Sequence, residues 1–301
     1  MCELFGSSAN GRTDIAASLS QFRKRGGDTA DNPDGWGLAY RERDVFVLHK
    51  EPEPAAQSAL LLQLGDTIHS DLVVAHVRKA NPPTSTKLDN THPFTRSCCG
   101  RQWVFAHNGK LSELMQPGGE RVPAACEPTG ETDSERAFCY LLNGIATRFR
   151  ADVAPESFWW LREVAELSEL VSSHGRFNFL MSDGNYLIAY GHDRLHSLER
   201  RYQGLRLALI ATEPLTQDEA WESFAPGELR VYREGELLTR LATRPGHGAD
   251  PAQSEKHVRC ESSIIDRPAA RDYVAYRSVN DRVAQATSFA MRFRPGAVST
   301  F

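Results

Sequence analysis

A cysteine, Cys2, directly follows the initiator methionine. Methionine aminopeptidases generally remove Met1 when the second residue is small, so we expect Cys2 to carry a free α-amino group beside its thiol. An α-amine has a pKa of about 7.7–8.0 and can accept the thiol proton near neutral pH, whereas a lysine at about 10.4 cannot. Amino-terminal threonine nucleophiles work in this way. The alternative is a second-position cysteine without a catalytic role.

The string Phe105-Ala106-His107-Asn108-Gly109 joins an apolar strand to an Asn-Gly pair. Asn-Gly is the strongest short signal for a hairpin turn. The same pair can also form an oxyanion hole, because the Asn108 amide and the Gly109 backbone N–H are both donors. Taken alone, the string favours the turn and leaves the oxyanion hole open.

Two charged residues have the chemistry to hold the two ends of an amino acid. Arg78 follows an apolar strand and suits bidentate binding of a carboxylate; the alternative is a surface arginine where the strand ends. Asp133 lies between Thr132 and Glu135, which fit a capping box before an amphipathic helix. Either Asp133 only favours the helix dipole, or it also faces a pocket and binds a substrate ammonium.

The sequence offers no pattern for a metal or a cofactor. His92, Cys98, Cys99 and His107 lie close together, but vicinal cysteines chelate poorly and these four residues show neither a C-x₂-C nor an H-x₃-H spacing. P-loop and G-x-G-x-x-G patterns are absent, as is a G-x-S-x-G elbow. We therefore predict neither a metal nor a cofactor.

Composition narrows the class of protein. The 301 residues carry a net charge of −4, which does not suggest a partner such as nucleic acid or a membrane surface. No apolar run approaches the ~18–20 residues of a membrane span, and the N-terminus lacks the features of a secretory signal. The six cysteines show no regular spacing. We expect them to be reduced thiols in a cytoplasmic protein.

The elements that must position these residues are strands, then two helices, then strands again. Helices are predicted over Thr13–Arg25, Pro54–Leu64, Asp133–Arg150 and Pro155–His174. Strands are predicted over Glu3–Ser7, Trp36–Arg41, Asp44–Lys50, Asp71–Val77, Gln102–His107, Phe177–Met181, Tyr186–Tyr190, Leu205–Thr212, Leu229–Arg233 and Glu236–Leu241, with a loop over Arg78–Arg101. This order favours an α+β domain with a largely antiparallel sheet.

The composition changes near Thr243. Residues 243–301 hold nine Lys and Arg against six Asp and Glu, a net charge of +3 that leaves −7 on the remainder. We predict one domain over residues 2–242 and a basic extension over 243–301. The extension is either partly ordered on the acidic body or a flexible tail.

In chain order, the candidate strings resemble the class II glutamine amidotransferases, a family of N-terminal nucleophile hydrolases. The strings are Cys2, D-G-W-G-L-A at 34–39, A-H-V-R at 75–78, N-T-H-P-F at 90–94, A-H-N-G at 106–109 and E-T-D-S-E at 131–135. The match is closest to the stand-alone YafJ-like branch and runs over roughly residues 2–240. It implies a four-layer αββα sandwich of two antiparallel sheets.

The resemblance also implies a role for each matching position. Cys2 would be the nucleophile, and Asn108 and Gly109 the oxyanion hole. Arg78 would bind the α-carboxylate of glutamine and Asp133 its α-ammonium. These roles carry over only where the residues match.

Two further positions carry weaker implications. His92 lies in the loop that flanks the substrate in relatives. The W-A-T-H-G string of better-known members is replaced by Lys79-Ala80-Asn81-Pro82-Pro83, in which Asn81 is a plausible substitute for the lost contacts.

The implied activity is hydrolysis of the glutamine side-chain amide through a Cys2 thioester, giving glutamate and ammonia. A synthase that accepts the ammonia would have to be a separate chain, because residues 243–301 show no synthase pattern. One alternative is a γ-glutamyl amide or peptide hydrolase. Another is a non-catalytic protein that binds glutamine or serves as a scaffold.

Overall fold

Thirteen strands and four α-helices form the part of the chain that the computed structural model describes, residues 2–80, 86–112, 125–149 and 159–244. The strands are β1 (Glu3–Asp14), β2 (Trp36–Glu42), β3 (Val45–Glu51), β4 (His69–Val77), β5 (Phe94–Cys98), β6 (Arg101–Leu111), β7 (Gly175–Ser182), β8 (Leu187–Gly191), β9 (His196–Tyr202), β10 (Leu205–Ala211), β11 (Glu222–Ser223), β12 (Glu228–Arg233) and β13 (Glu236–Ala242). The helices are α1 (Ala16–Lys24), α2 (Ala59–Thr67), α3 (Asp133–Phe149) and α4 (Trp159–Ser172). Within these residues, none of the helices combines the length and hydrophobicity of a membrane span.

The strands form two sheets. One sheet has seven strands in the order β11-β9-β10-β1-β4-β2-β3, and the other has six in the order β13-β12-β8-β7-β6-β5. Every neighbouring pair runs antiparallel. The strand β1, which begins next to Cys2, lies inside the first sheet between β10 and β4.

Three buried apolar clusters separate the layers. The cluster between the seven-stranded sheet and helices α1 and α2 includes Phe5, Phe22, Leu61, Val73 and Leu209. The cluster between the two sheets, called here the inter-sheet core, includes Leu4, Val74, Val104, Ala106, Leu180 and Ile210. The cluster between the six-stranded sheet and helices α3 and α4 includes Phe105, Phe138, Trp160, Val164 and Phe179. The layers are therefore helix, sheet, sheet and helix, which confirms the predicted αββα sandwich.

Alternation along the strands decides which side chains meet between the sheets. In β6, Val104 and Ala106 enter the inter-sheet core, whereas Trp103 and Phe105 pack under the helices. Successive side chains point to opposite faces of a strand, so Asn108 shares the inter-sheet face. The same rule assigns Leu4 and His76 to that face of β1 and β4.

The first helix is shorter than predicted. Thr13 and Asp14 belong to β1, and α1 begins at Ala16. The register of β1 against β4 shifts between Ser8 and Thr13, after which Thr13 pairs with Ser70. The polar residues after Ser8 resemble a turn in the sequence, but this irregularity lets the strand continue.

The sequence did not indicate three of the strands, β5, β9 and β11, the last of which has only two residues (Glu222–Ser223). β5 (Phe94–Cys98) lies inside the predicted loop, because the polar and proline-rich residues around it hide a five-residue strand. β9 (His196–Tyr202) was missed because it is largely polar and its last two residues are exposed. The predicted start of the last helix, residues 155–158, lies outside the described residues.

The expectation that all cysteines are reduced is wrong for Cys126 and Cys139, which form a disulfide with 4.9 Å between their Cα atoms. The segment that precedes α3 folds back against it, and Asn143 on the helix exchanges hydrogen bonds with the backbone N–H and C=O of Cys126 at 3.0 and 3.1 Å. A spacing of 13 residues gives no sign of this return. Cys260 lies outside the described residues.

Candidate active site

Cys2 lies at the end of the inter-sheet space, held against the backbone that follows β4. Glu3 pairs with Val77, so Cys2 adjoins Arg78. Its Sγ accepts a hydrogen bond from the Lys79 N–H at 3.2 Å, and its S–H donates to the Lys79 carbonyl oxygen at 3.3 Å. The backbone of Lys79 therefore holds the half-buried thiol.

Burial raises the pKa of the Cys2 thiol, and the Lys79 hydrogen bond and the Arg78 charge offset part of that rise. The thiolate is the nucleophilic form of cysteine. A thiol with a raised pKa needs a base to reach that form near neutral pH. Among the described residues, the hydrogen-bond partners of the sulfur are the backbone N–H and C=O of Lys79, and neither is a base. Another group therefore has to accept the thiol proton.

Arg78 is buried, and its Nη1 has no hydrogen-bond partner among the described residues. Its pKa is lowered because burial disfavours the charged guanidinium. Its backbone is fixed, since the N–H donates to the Gly35 carbonyl at 2.8 Å and the carbonyl accepts from the Asp34 N–H at 3.0 Å. A buried guanidinium whose Nη1 has no described partner is suited to donate hydrogen bonds to an anionic ligand.

The D-G-W-G string at residues 34–37 indicates only a turn when read in isolation. In the structure it holds the backbone after β4 in place, a role that the sequence did not show. Besides the two contacts to Arg78, Asp34 Oδ2 accepts a hydrogen bond from the Ala80 N–H at 2.8 Å. The loop thus fixes the backbone from Arg78 to Ala80, against which the Cys2 sulfur lies. Its occurrence in chain order with the other strings, not its own composition, was the sequence signal for a functional role.

The hairpin-turn interpretation of Asn108-Gly109 is wrong. β6 runs through both residues to Leu111, with Asn108 opposite Asn178 and Gly109 opposite Phe177. Asn108 is buried on the inter-sheet face, and its Nδ2 lies 3.4 Å from the Thr212 hydroxyl. A Cβ at position 109 would come within 1.8 Å of the Arg176 carbonyl oxygen, so the strand pairing excludes any side chain there.

Asn178 is a second residue that the sequence did not single out. Its Oδ1 accepts hydrogen bonds from three successive N–H groups, those of residues 192–194. Its Nδ2 donates to the Asn108 carbonyl at 3.2 Å and to Asp193 Oδ1 at 2.8 Å. The side chain therefore fixes the backbone of Asn108 and the turn after β8 together.

Asp133 is the first residue of α3. Its Oδ2 accepts the Leu111 N–H at 2.7 Å, and its Oδ1 accepts the Ser134 N–H at 2.9 Å. The carboxylate is thus held beside the end of β6, two residues beyond Gly109. Oδ1 also accepts from the Ser134 hydroxyl at 3.4 Å. A carboxylate oxygen has two acceptor sites, so Oδ2 keeps capacity for a further donor.

The predicted capping box is half correct. The Thr132 hydroxyl accepts the Glu135 N–H at 3.2 Å, as an N-cap should. The Glu135 carboxylate does not return to Thr132. It accepts instead from the N–H groups of Thr129 and Gly130 and pairs with Arg96.

His92 lies against His76 of β4, with 4.3 Å between ring centroids, and against Phe94 at 4.5 Å. Both histidines are buried, and their ring nitrogens lack hydrogen-bond partners among the described residues. Burial, with a further contribution from Arg78, lowers the pKa of His76 to about 3. Burial and the neighbouring His76 lower that of His92 well below its ordinary value. Both rings are therefore neutral at neutral pH.

The structure brings Cys2, Arg78 and Asn108 to one end of the inter-sheet space, with His92 beside β4 and Asp133 beside β6. Asn81 lies outside the described residues. Within the described ranges, no group of three or more His, Cys, Asp and Glu side chains is arranged to hold a metal ion.

Comparison with known proteins places this chain in a family. The profile of the class II glutamine amidotransferases matches residues 1–204 and 202–257. YafJ of Escherichia coli (strain K12), which is named as a glutamine amidotransferase, is 37% identical to this chain over 262 residues. The alignment covers 79% of this chain and 100% of YafJ. The γ-glutamyl-hercynylcysteine sulfoxide hydrolase of Mycobacterium tuberculosis is 23% identical over 216 residues, 71% of this chain and 82% of that protein.

A solved structure agrees in fold. The crystal structure of a glutamine amidotransferase from Pseudomonas aeruginosa PA01, assigned from its sequence, aligns with a TM-score of 0.58 and 32% identity. The alignment covers 79% of this chain and 99% of that one. The chain belongs to the class II glutamine amidotransferases.

Proposed function

We propose that the protein hydrolyses the side-chain amide of glutamine through a γ-glutamyl thioester on Cys2. The observation that carries this proposal is the half-buried Cys2 thiol beside a buried Arg78 whose Nη1 has no described partner. The thiol is the nucleophile, and the guanidinium matches the α-carboxylate of a free amino acid. Asp133, at the end of β6, is the proposed partner of the α-ammonium.

The proposed reaction has two stages. Once Met1 is removed, the α-amine of Cys2 takes the thiol proton, and the sulfur attacks the side-chain carbonyl carbon. Asn108 Nδ2 and the Gly109 N–H stabilise the oxyanion, and the α-ammonium gives its proton to the departing ammonia. Water then hydrolyses the thioester, which releases glutamate and returns the proton to the thiol.

Two further parts of the proposal concern the setting. We propose that the protein works in the cytoplasm. We also propose that the acceptor of the ammonia is a synthase on a separate chain, because residues 243–301 show no synthase pattern.

The second candidate is hydrolysis of a larger γ-glutamyl compound. The relative from Mycobacterium tuberculosis supports it, because that protein is named as a γ-glutamyl hydrolase. Both substrates share the γ-glutamyl end, which Arg78 and Asp133 would bind. A panel of glutamine, glutathione and γ-glutamyl amides separates the candidates, since a glutaminase turns over glutamine fastest.

Cys2→Ala is expected to abolish release of glutamate and ammonia, because no other group supplies the nucleophile. Cys99→Ser, which alters a half-buried thiol at the turn between β5 and β6, is the matched control and should retain activity. A Cys2→Ala protein with most of the glutaminase activity contradicts the mechanism.

Intact mass after incubation with an electrophilic glutamine analogue gives a second readout. The wild-type protein should lack the mass of Met1 and gain one adduct, and Cys2→Ala should gain none. Retained Met1 with no adduct supports the non-catalytic alternative, because the nitrogen of Cys2 is then an amide and cannot act as the base.

A further inference from the structure

Thr212 ends the pairing of β10 with β1. Its N–H donates to the Leu4 carbonyl at 3.0 Å, and its own carbonyl lies 3.0 Å from Nδ1 of His196 on β9. The Leu4 N–H donates instead to the Thr212 hydroxyl oxygen at 2.9 Å. A buried side chain thus replaces the backbone acceptor at the residue where the strand ends.

The same hydroxyl oxygen also contacts the other sheet. Asn108 Nδ2 on β6 donates to it at 3.4 Å. A hydroxyl oxygen has two acceptor sites, so both N–H groups can share it. One atom therefore joins β1, two residues after Cys2, to the side chain proposed as an oxyanion donor.

We infer that Thr212 is a positioning residue for the hydrolysis, because its hydroxyl fixes the direction in which the Asn108 amide points. The inference rests on the proposed function. The amide nitrogen has two N–H groups. One donates to Thr212, which turns the NH₂ end toward the strand that carries Cys2 and leaves the other N–H for the oxyanion. Without the hydroxyl, the buried amide is free to turn.

Thr212→Val keeps the shape and removes the acceptor. We expect it to lower kcat for glutamine by about 10–100-fold, less than the 10²–10³-fold typical of losing an oxyanion donor altogether. KM should change little, because Thr212 is not among the residues proposed to bind the substrate. Thr212→Ser keeps the hydroxyl and should restore kcat to within about threefold of wild type. An unaffected kcat in Thr212→Val, or an equal loss in Thr212→Ser, overturns the inference.

The combination with Asn108→Ala separates positioning from a general loss of structure. If Thr212 acts through Asn108, the double variant has the kcat of Asn108→Ala alone, because coupled residues are not additive. If the two losses multiply, the inference is wrong. Thr243→Val is the matched control. It removes hydrogen bonds to Tyr190 and to the Gly227 carbonyl, both at 2.9 Å, outside the site and should leave kcat unchanged.

Failure of the proposed function has a different signature. It is a wild-type protein that turns over neither glutamine nor any γ-glutamyl compound in the panel. In that event a crystal structure of Thr212→Val decides the inference about Thr212. A rotated Asn108 amide supports it, and an unchanged amide overturns it.

Discussion

At the scale of single residues, backbone groups hold the candidate catalytic side chains. Lys79 N–H and C=O hold the Cys2 sulfur, and the Leu111 N–H holds Asp133. Neither contact involves the guanidinium of Arg78. Its buried Nη1 has no hydrogen-bond partner among the described residues and can donate to the carboxylate of a ligand.

Asn108→Ala should reduce kcat for glutamine about 10²–10³-fold and leave residual activity, because one oxyanion donor is lost while the Gly109 N–H remains. Steady-state release of glutamate measures the effect. Asn10→Ala is the matched control, since it removes an exposed side chain that donates to the Gly204 carbonyl at the far end of β1. Wild-type kcat in Asn108→Ala would exclude Asn108 from the oxyanion hole.

At the scale of elements, β6 matters most because it carries Asn108 and Gly109, the proposed oxyanion hole, and its Leu111 N–H holds Asp133 at the start of α3. Its apolar alternation was readable from the sequence, and the helices over 133–149 and 159–172 followed from their spacing. The end of β6 was not readable, because Asn-Gly favours a turn locally. Pairing with β7, whose residues lie about seventy positions later, carries the strand through both residues.

Gly109→Ala should destabilise the protein by about 1–3 kcal/mol, the usual cost of overpacking a filled site. The added Cβ would meet the Arg176 carbonyl oxygen at 1.8 Å, so the pairing of β6 and β7 has to open. Urea unfolding measures the change in free energy of unfolding. Gly11→Ala is the control, because nothing lies within 4 Å of a Cβ there. Equal stability of the two variants contradicts the expectation.

At the scale of the whole molecule, the layers were predicted and the links between them were not. The order of the elements favours an α+β domain with a largely antiparallel sheet, and the resemblance to the family implies two sheets between helices. The hydrogen bonds of Thr212 to Leu4 and Asn108 join residues 208 and 104 positions apart, and no local pattern signals them. The disulfide of Cys126 and Cys139 escaped for the same reason. The boundary at 242 stays a prediction.

The buried histidines should make the whole fold sensitive to acid. His76 has a folded pKa of about 3, and the unfolded chain binds its proton at about 6.5. Between these values the unfolded state holds more protons, so the free energy of unfolding decreases as the pH is lowered, by up to about 1.4 kcal/mol per pH unit for each such histidine. Stability from this source is complete above about pH 6.5 and is lost toward pH 3.

Urea unfolding at pH 7 and pH 5 tests this dependence. His76→Asn or His92→Asn should flatten the fall between the two pH values. His69→Asn, which alters an exposed histidine at the start of β4, should leave it as in wild type. An unchanged fall in both buried variants would contradict the assignment.

The central place of β1 has a consequence for the newborn chain. β1 leaves the ribosome before its neighbours in the sheet, β4 and β10, which begin at His69 and Leu205. At synthesis rates of about 5–20 residues per second, roughly 10–40 s pass before β10 emerges. During that time the amino terminus has no complete sheet around it and is open to the peptidase that would remove Met1. The order of the strands thus allows removal of Met1 before the sheet closes around the proposed nucleophile, Cys2.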